Sequence, residues 1–361
     1  MLGTVFSSVW TILITLFIFG LLITLHELGH YLVARLFGVG IREFSVGMGP
    51  AIHTWKGKHN DISLRWLPIG GYVAMIGETA EDEPQPGDEG KVGLNKKPIW
   101  QRLLVVLAGP FTNILLTFIV MMVVVACLPE SRIGSTTIAQ FVTEDMQTRN
   151  CGLRENDEIL EIDGTPIHVT YDLTSVVALR GGKKPLEVKV LRNGEVLTFD
   201  VQFPSFVNQG ITMGDIDFSI YRVEKDFGEV MYQAFWQPIS MLKMTFESLW
   251  RTIAGQYGVE AVSGPVGVGQ QIGEVVKQSD GIGDTVLNLA TLAVLISMSL
   301  GLCNLLPLPV LDGGRAVIYI IEAIRGKPLN PKVESAVSTV CMLLLLGLML
   351  FITIKDVVGL F

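Results

Sequence analysis

The sequence predicts a polytopic α-helical membrane protein with four transmembrane segments, a β-rich membrane-associated hairpin region and an inserted α+β module. Of the 361 residues, 49% are hydrophobic and only 17% are charged, whereas a soluble protein carries about 25% charged residues. Mean hydropathy is +0.48. The apolar runs are long enough to cross a bilayer at about 1.5 Å per residue.

The predicted domains follow one another without overlap. In chain order they are a first transmembrane segment (1–37), a cytoplasmic-side hairpin region with an acidic loop (38–100), a second segment (101–128), the α+β module (129–205), a linker region with an amphipathic helix (206–284), a third segment with a following helix (285–325) and a fourth segment (335–355).

The first segment ends in His26-Glu27-Leu28-Gly29-His30, an H-E-x-x-H pattern. On a helix, residues four apart project from one face, so both imidazoles could bind one Zn²⁺. Glu27 could then accept a proton from water at the metal. Because ionisable groups inside an apolar span cost several kcal/mol, a chemical role is favoured. The alternative is that these side chains bridge helices or mark the membrane boundary.

The second and third segments each contain residues with two interpretations. In Ala108-Gly109-Pro110-Phe111-Thr112-Asn113, the Asn113 amide either makes one interhelical hydrogen bond or positions substrate backbone near the metal. Pro307 and Pro309 interrupt the third segment just before Asp312. Asp312 either caps the helix that follows or supplies a third zinc ligand.

Two regions outside the spans have β-strand patterns. Short β-leaning runs in residues 38–77 are punctuated by Gly and Pro, which predicts hairpins close to the first helix. From Gly152 to Gly164 the module reads Gly-Leu-x-x-x-Asp-x-Ile-x-x-Ile-Asp-Gly, and a later hairpin closes at Asn193-Gly194. The Gly152–Gly164 pattern resembles the signature of PDZ domains, which bind peptides by strand addition at a sheet edge.

The linker region contains one helix pattern and one glycine-rich run. Apolar residues recur at helical spacing over 227–253, which predicts an amphipathic helix on the membrane surface or the core. The glycine-rich run 263–269 lacks the Gly-Lys-Ser/Thr of a phosphate loop, so we expect a turn there.

Charge near the spans predicts the topology. Basic residues flank the connections after the first and third segments, namely Arg35, Arg42, Lys96, Lys97, Arg102, Arg315, Arg325, Lys327 and Lys332. By the positive-inside rule both connections are cytoplasmic, which puts both termini and the module on the other side. His26, His30 and Asp312 then lie at similar depth. A His₂Asp set with an open fourth position is typical of catalytic zinc, so the ligand interpretation of Asp312 is favoured.

Taken together, the motifs resemble the site-2 protease family of intramembrane zinc metalloproteases, in its bacterial RseP-like branch (regulator of sigma-E protease). The resemblance covers nearly the full chain. It is carried by His26-Glu27-Leu28-Gly29-His30, Ala108-Gly109-Pro110-Phe111-Thr112-Asn113, the PDZ signature, and Asn304, Pro307 and Leu311-Asp312-Gly313. It implies one catalytic Zn²⁺ held by His26, His30 and Asp312, with Glu27 as the general base.

The resemblance also implies a substrate class and partners. Family members cleave single-span membrane proteins within or near the transmembrane segment, for example anti-sigma factors or remnant signal peptides, in regulated intramembrane proteolysis. The β-rich region would help to present an unwound substrate strand, and the residues expected to contact substrate are Gly70, Gly71, Tyr72, Asn113 and Asn304. One PDZ-like module is found, where some relatives have two in tandem.

The expected partners are single-span substrates, a peptide or pre-cleaved substrate end at the PDZ domain, and the lipid bilayer of the bacterial inner membrane. The active site is expected near the cytoplasmic side. A net charge of −8 argues against a nucleic-acid partner. Whether Cys127 and Cys151 pair stays open.

Two other classes of function fit parts of the sequence. One is a PDZ-bearing membrane scaffold with a non-catalytic metal site, in which Glu27 beside the ligands would have no purpose. The other is a metal-ion transporter with a relay of intramembrane His, Glu and Asp. The fourth segment is polar only near its ends, which argues against a relay.

Overall fold

The structure, a computed structural model, forms two compact units. It describes residues 2–78, 85–141, 143, 145–208, 211–255 and 264–358. Residues 79–84, which belong to the predicted acidic loop, and residue 263 lie outside the described residues. Unit 1 comprises Met1–Thr117 and Ser263–Phe361, and unit 2 comprises Phe118–Val262.

Helices and strands are interspersed along the chain. The helices are α1 (Leu2–Leu36), α2 (Ile99–Cys127), α3 (Gln147–Asn150), α4 (Thr170–Arg180), α5 (Phe227–Ile253), α6 (Pro265–Gln278), α7 (Ile282–Asn304), α8 (Asp312–Arg325) and α9 (Pro331–Val358). The strands are β1 (Ile41–Lys56), β2 (Asp61–Met75), β3 (Gly134–Phe141), β4 (Glu158–Ile162), β5 (Thr165–Pro166), β6 (Leu186–Arg192), β7 (Glu195–Val201), β8 (Ser205–Asn208), β9 (Ile211–Gly214) and β10 (Phe218–Arg222).

Within the part of the chain that the structure describes, four helices are long and apolar enough to cross a membrane, as the sequence predicts. They are Val9–Leu36 in α1, Ile99–Cys127 in α2, Ile282–Asn304 in α7 and Lys332–Val358 in α9. The prediction of four apolar helices that could span a membrane, together with a β-rich region, is confirmed.

The β-rich region of unit 1 is one long hairpin folded back on itself. Residues 41–46 of β1 pair with β2 on both sides, so Phe44 lies opposite Ile62 on one flank and opposite Val73 on the other. Gly47, Gly49 and Gly70, all with positive φ, lie at the bends, where a side chain would be strained. The C-terminal part of β2, residues 71–75, is therefore an edge of the folded hairpin.

The prediction of a turn at residues 263–269 is wrong. In the described part of this range, residues 264–269, helix α6 begins at Pro265. Proline is well suited to the first helical position. The Asp356 carboxylate of α9 accepts hydrogen bonds from the backbone N–H groups of Gly264 (2.8 Å) and Gly267 (2.9 Å). Further along α6, Gly273 packs on Thr11 of α1. The glycines thus allow close helix packing, which the sequence alone did not indicate.

Unit 2 contains a six-stranded sheet around a buried core. The strand order is β10-β3-β4-β6-β7, and β5 pairs with β4. Helix α4 packs beside this sheet. The sheet extends beyond the predicted boundary at residue 205, because β10 pairs with β3 and buries Phe218 in the core. Cys127 and Cys151 are free thiols.

We expect Asp356→Ala to lower the free energy of unfolding by about 1 kcal/mol, because two N–H groups at the start of α6 lose their acceptor. Thermal unfolding of the purified protein in detergent measures the loss. Glu274, an exposed carboxylate on α6, provides the control variant Glu274→Ala. Equal stability of the two variants would contradict the capping role.

Candidate active site

Three side chains distant in sequence converge in unit 1. His26 and His30 of α1 are 7% and 6% exposed, and their Nε2 atoms lie 3.2 Å apart. Asp312, the first residue of α8, places Oδ2 3.0 Å from His26 Nε2 and 3.4 Å from His30 Nε2. The chain thus brings together the three residues that the sequence proposes as ligands.

The triangle formed by these three atoms has the size that a tetrahedral zinc ion requires. Zn²⁺ binds imidazole nitrogen and carboxylate oxygen at about 2.0–2.2 Å, so two ligand atoms on one tetrahedral ion are about 3.3–3.5 Å apart. The observed separations of 3.0–3.4 Å are close to that value. The residues present therefore fit a zinc ion with one further coordination position.

Hydrogen bonds to the far sides of the two rings differ. His30 Nδ1 lies 2.8 Å from the carbonyl oxygen of Val105, which can only accept, so Nδ1 carries the proton and the Nε2 lone pair is free. His26 Nδ1 lies 3.3 Å from Nδ2 of Asn113. Asn113 is 1% exposed, and its Oδ1 has no hydrogen-bond partner among the described residues. A buried polar atom without a partner costs about 1–3 kcal/mol.

Two glycines allow α1 and α2 to approach closely enough for these contacts. A Cβ at Gly109 would lie 2.7 Å from His26 Nε2 and closer still to His30 Nε2. A Cβ at Gly29 would lie 2.6 Å from the carbonyl oxygen of Ala108. The small residues in the second segment therefore make room for the imidazole rings as well as for helix packing.

Glu27 lies between the histidines and the hairpin. Its Oε2 accepts a hydrogen bond of 3.2 Å from the backbone N–H of Val73, in the edge formed by residues 71–75. The predicted proximity of the hairpin to the first helix is therefore confirmed. A cavity of about 280 Å³ is lined by His26, Glu27, His30 and Asp312.

The predicted substrate contacts separate into two groups. Asn113 and Asn304 line this cavity, whereas Gly70, Gly71 and Tyr72 are not among its lining residues. The carbonyl oxygen of Gly70 accepts a hydrogen bond from the hydroxyl of Thr24 in α1. Gly70 therefore contributes to the contact between hairpin and helix. Direct contact of Gly70, Gly71 and Tyr72 with substrate stays a prediction.

The Tyr72 hydroxyl belongs to a polar network within the hairpin. It donates to Glu43 Oε2 (2.7 Å) and accepts from Arg65 (2.6 Å), whose guanidinium also donates to Glu43 Oε1 (2.8 Å). Partial burial opposes ionisation of Glu43, but hydrogen bonds from Ser63, Tyr72 and Arg65 outweigh it and hold the pKa of Glu43 below its ordinary value. This network fixes the fold of the hairpin beside the cavity.

Sequence reasoning missed two charged residues of the cavity wall. Glu78 and Arg315 both line the cavity and form an ion pair with each other. In the sequence, Arg315 is one of the basic residues that predict the topology, and Glu78 lies in the predicted hairpin region with its acidic loop. Because 237 positions separate them, no local pattern could have linked them.

Comparison with known proteins agrees with this geometry. Residues 14–348 match the description "Peptidase family M50". The chain belongs to this peptidase family. A Clostridium perfringens protein assigned as a zinc metalloprotease is 35% identical to this M50 peptidase, over 96% of the chain and 98% of the relative.

Two further relatives also align over nearly their whole length. Metalloprotease MmpA of Caulobacter vibrioides is 30% identical over 94% of both chains. Regulator of sigma-W protease RasP of Bacillus subtilis is 27% identical over 97% of this M50 peptidase and 99% of the relative. The predictions of the site-2 protease family, of a zinc metalloprotease and of a membrane location are therefore confirmed. The role of each site residue stays a prediction.

We expect Gly109→Ala to abolish zinc binding by this M50 peptidase, because the added methyl group would occupy the space of both Nε2 atoms. Zinc content of the purified protein measures the effect. Gly347→Ala in α9 is the matched control, since a Cβ there meets nothing within 4 Å. Full zinc content in a folded Gly109→Ala variant would contradict this packing.

Proposed function

We propose that this M50 peptidase hydrolyses a peptide bond within or near the transmembrane segment of single-span membrane proteins, in regulated intramembrane proteolysis. Anti-sigma factors and remnant signal peptides are the expected substrate types. The observation that carries the proposal is the convergence of Asp312 with His26 and His30 beside Glu27, on a helix that is apolar enough to span a membrane. Ionisable groups in such a setting are costly and are retained for function.

In the proposed site His26, His30 and Asp312 hold the zinc ion, and Glu27 is the general base. Bound zinc would polarise the scissile carbonyl and lower the pKa of a water molecule. Glu27 accepts the proton from water and returns it to the leaving amine. The hydrogen bond from Val73 N–H holds the Glu27 carboxylate at the cavity.

The substrate must expose its backbone before cleavage. A transmembrane helix hides its carbonyl groups in its own hydrogen bonds, so the segment has to unwind locally. We propose that an unwound stretch adds as a strand to the edge formed by residues 71–75, which compensates the lost hydrogen bonds. The contact of Val73 with Glu27 supports this, because it puts the edge next to the base. Asn304, at the cavity wall, is the proposed side-chain contact for substrate.

The proposed location is the bacterial inner membrane, with the active site near the cytoplasmic side. Basic residues flanking the connections after the first and third spans support this orientation. Both termini and unit 2 would then be extracytoplasmic.

We propose that the sheet of unit 2 with α4 is a PDZ domain that binds a peptide or the pre-cleaved end of a substrate. The Gly152–Gly164 signature supports this, as does an antiparallel sheet that ends in strands β7 and β10 and contacts helix α4. Strand addition at such an edge is the way PDZ domains bind peptides.

The proposed function is tested by co-expression with a panel of single-span membrane proteins. We expect Glu27→Gln to reduce cleavage by about 100-fold or more, because the proton acceptor is lost. Zinc content should be unchanged, since Glu27 is not a proposed ligand. Glu274→Gln, on the exposed face of α6, is the control. Persistent cleavage by a folded, zinc-loaded Glu27→Gln variant would remove the assigned base.

If the substrate helix must unwind locally, residues that weaken this helix should speed its cleavage. We expect two glycines next to the cleavage site to raise the cleavage rate about fivefold or more, because each glycine weakens a helix by about 1 kcal/mol. Cleavage by the unmodified enzyme is measured on a substrate from the panel. The same pair placed three turns away is the control. If both positions changed the rate equally, the unwinding step would be contradicted.

A further inference from the structure

The two histidines of the site have different partners behind them. The Nδ1 atom of His30 is held by a backbone carbonyl, which fixes its tautomer. The Nδ1 atom of His26 faces the Asn113 side-chain amide, which can either donate or accept. The tautomer of the neutral His26 ring therefore depends on which amide atom faces it.

A nitrogen that binds a metal must carry a lone pair rather than a proton. When Asn113 Nδ2 donates to His26 Nδ1, the proton of the neutral ring is on Nε2, and that nitrogen cannot bind zinc. When Asn113 Oδ1 accepts from Nδ1–H, the Nε2 lone pair is free. Only the second arrangement is compatible with the proposed ligand role of His26.

Rotation of the amide by a half-turn exchanges these arrangements without breaking another described hydrogen bond. Asn113 Oδ1 has no partner among the described residues, so the contact of Nδ2 with His26 is the one side-chain hydrogen bond described for this amide. The two orientations of an amide differ only in which atom, nitrogen or oxygen, occupies each position. The contact of Nδ2 with His26 is replaced by a contact of Oδ1 with the same ring.

The backbone of Asn113 is held from two sides. Its carbonyl oxygen accepts hydrogen bonds from Thr117 Oγ1 (2.8 Å) and from Ser297 Oγ of α7 (2.9 Å). Both donors are buried, at 0% and 1% exposure. These two hydrogen bonds hold the backbone of Asn113 in place, so its side chain stays next to His26. Because Asn113 is only 1% exposed, little of its surface could contact a substrate.

We infer that Asn113 is a positioning residue of the zinc site, whose Oδ1 accepts the Nδ1–H of His26 and so directs the Nε2 lone pair toward Asp312. This inference rests on the proposed function, because it takes His26 as a ligand. Acceptors behind a metal-binding histidine orient the ring and raise its basicity, and their loss lowers metal affinity by about 10–100-fold.

The test measures zinc affinity of the full-length protein in detergent by competition with a zinc chelator. We expect Asn113→Leu to weaken zinc binding about 10–100-fold, because leucine has a similar size but no acceptor. Asn113→Asp retains an acceptor and should bind zinc at least as well as the unmodified protein. The matched control is Thr117→Val, which removes one of the two hydrogen bonds to the Asn113 carbonyl. The hydrogen bond from Ser297 remains and the amide still faces His26, so zinc affinity should be unchanged.

Two results would overturn the inference. One is unchanged zinc affinity in Asn113→Leu. The other is a loss in Asn113→Asp as large as in Asn113→Leu, since that would mean that the amide acts as a donor. If Asn113→Leu does not fold, Asn113→Ala carries the same expectation.

The variants His26→Ala and His30→Ala separate this inference from the proposed function. If both bind zinc as well as the unmodified protein, the proposed ligand set fails. If both lose zinc while Asn113→Leu keeps it, the ligand set stands and only the positioning role of Asn113 fails.

Discussion

Three titratable side chains converge in a part of the molecule built from apolar helices, and this convergence constrains everything around it. A carboxylate and two imidazoles within 3.4 Å of one another are costly to bury unless a cation or protons balance them. In the proposed site, a zinc ion held by the three atoms would supply that balance. The close packing of α1 and α2 and the position of the hairpin give these side chains space and hydrogen-bond partners.

Each neighbouring element makes a different contribution to the site. Helix α2 comes close because Gly109 has no side chain, and it contributes the carbonyl oxygen of Val105 and the amide of Asn113 to the far sides of the rings. The prolines before α8 end one helix so that another can begin at Asp312. The hairpin brings an edge strand to Glu27. The proposed metal ligands, the proposed base and the proposed substrate-binding edge therefore come from several elements of one unit.

Motifs with a fixed local spacing were predictable from the sequence. His26 and His30 lie one helical turn apart whatever the rest of the chain does, and the four apolar spans follow from length and composition. Even the pairing of Asp312 with the histidines could be proposed, because charge near the spans implies similar depth. The predicted turn at residues 263–269 was wrong because glycine favours turns locally, whereas α6 uses glycines for contact with α1.

What could not be predicted are contacts between residues far apart that share no pattern. The pairing of Glu78 with Arg315 and the Arg65–Tyr72 contact depend on how the hairpin folds, and strand patterns alone do not determine that.

X-ray absorption at the zinc edge tests most directly the central claim that His26, His30 and Asp312 bind one zinc ion. The His₂Asp site predicts four nitrogen or oxygen ligands at about 2.0–2.1 Å, with imidazole scattering that is lost together with the metal in Asp312→Ala. A sulfur ligand, or an unchanged spectrum in that variant, would contradict it.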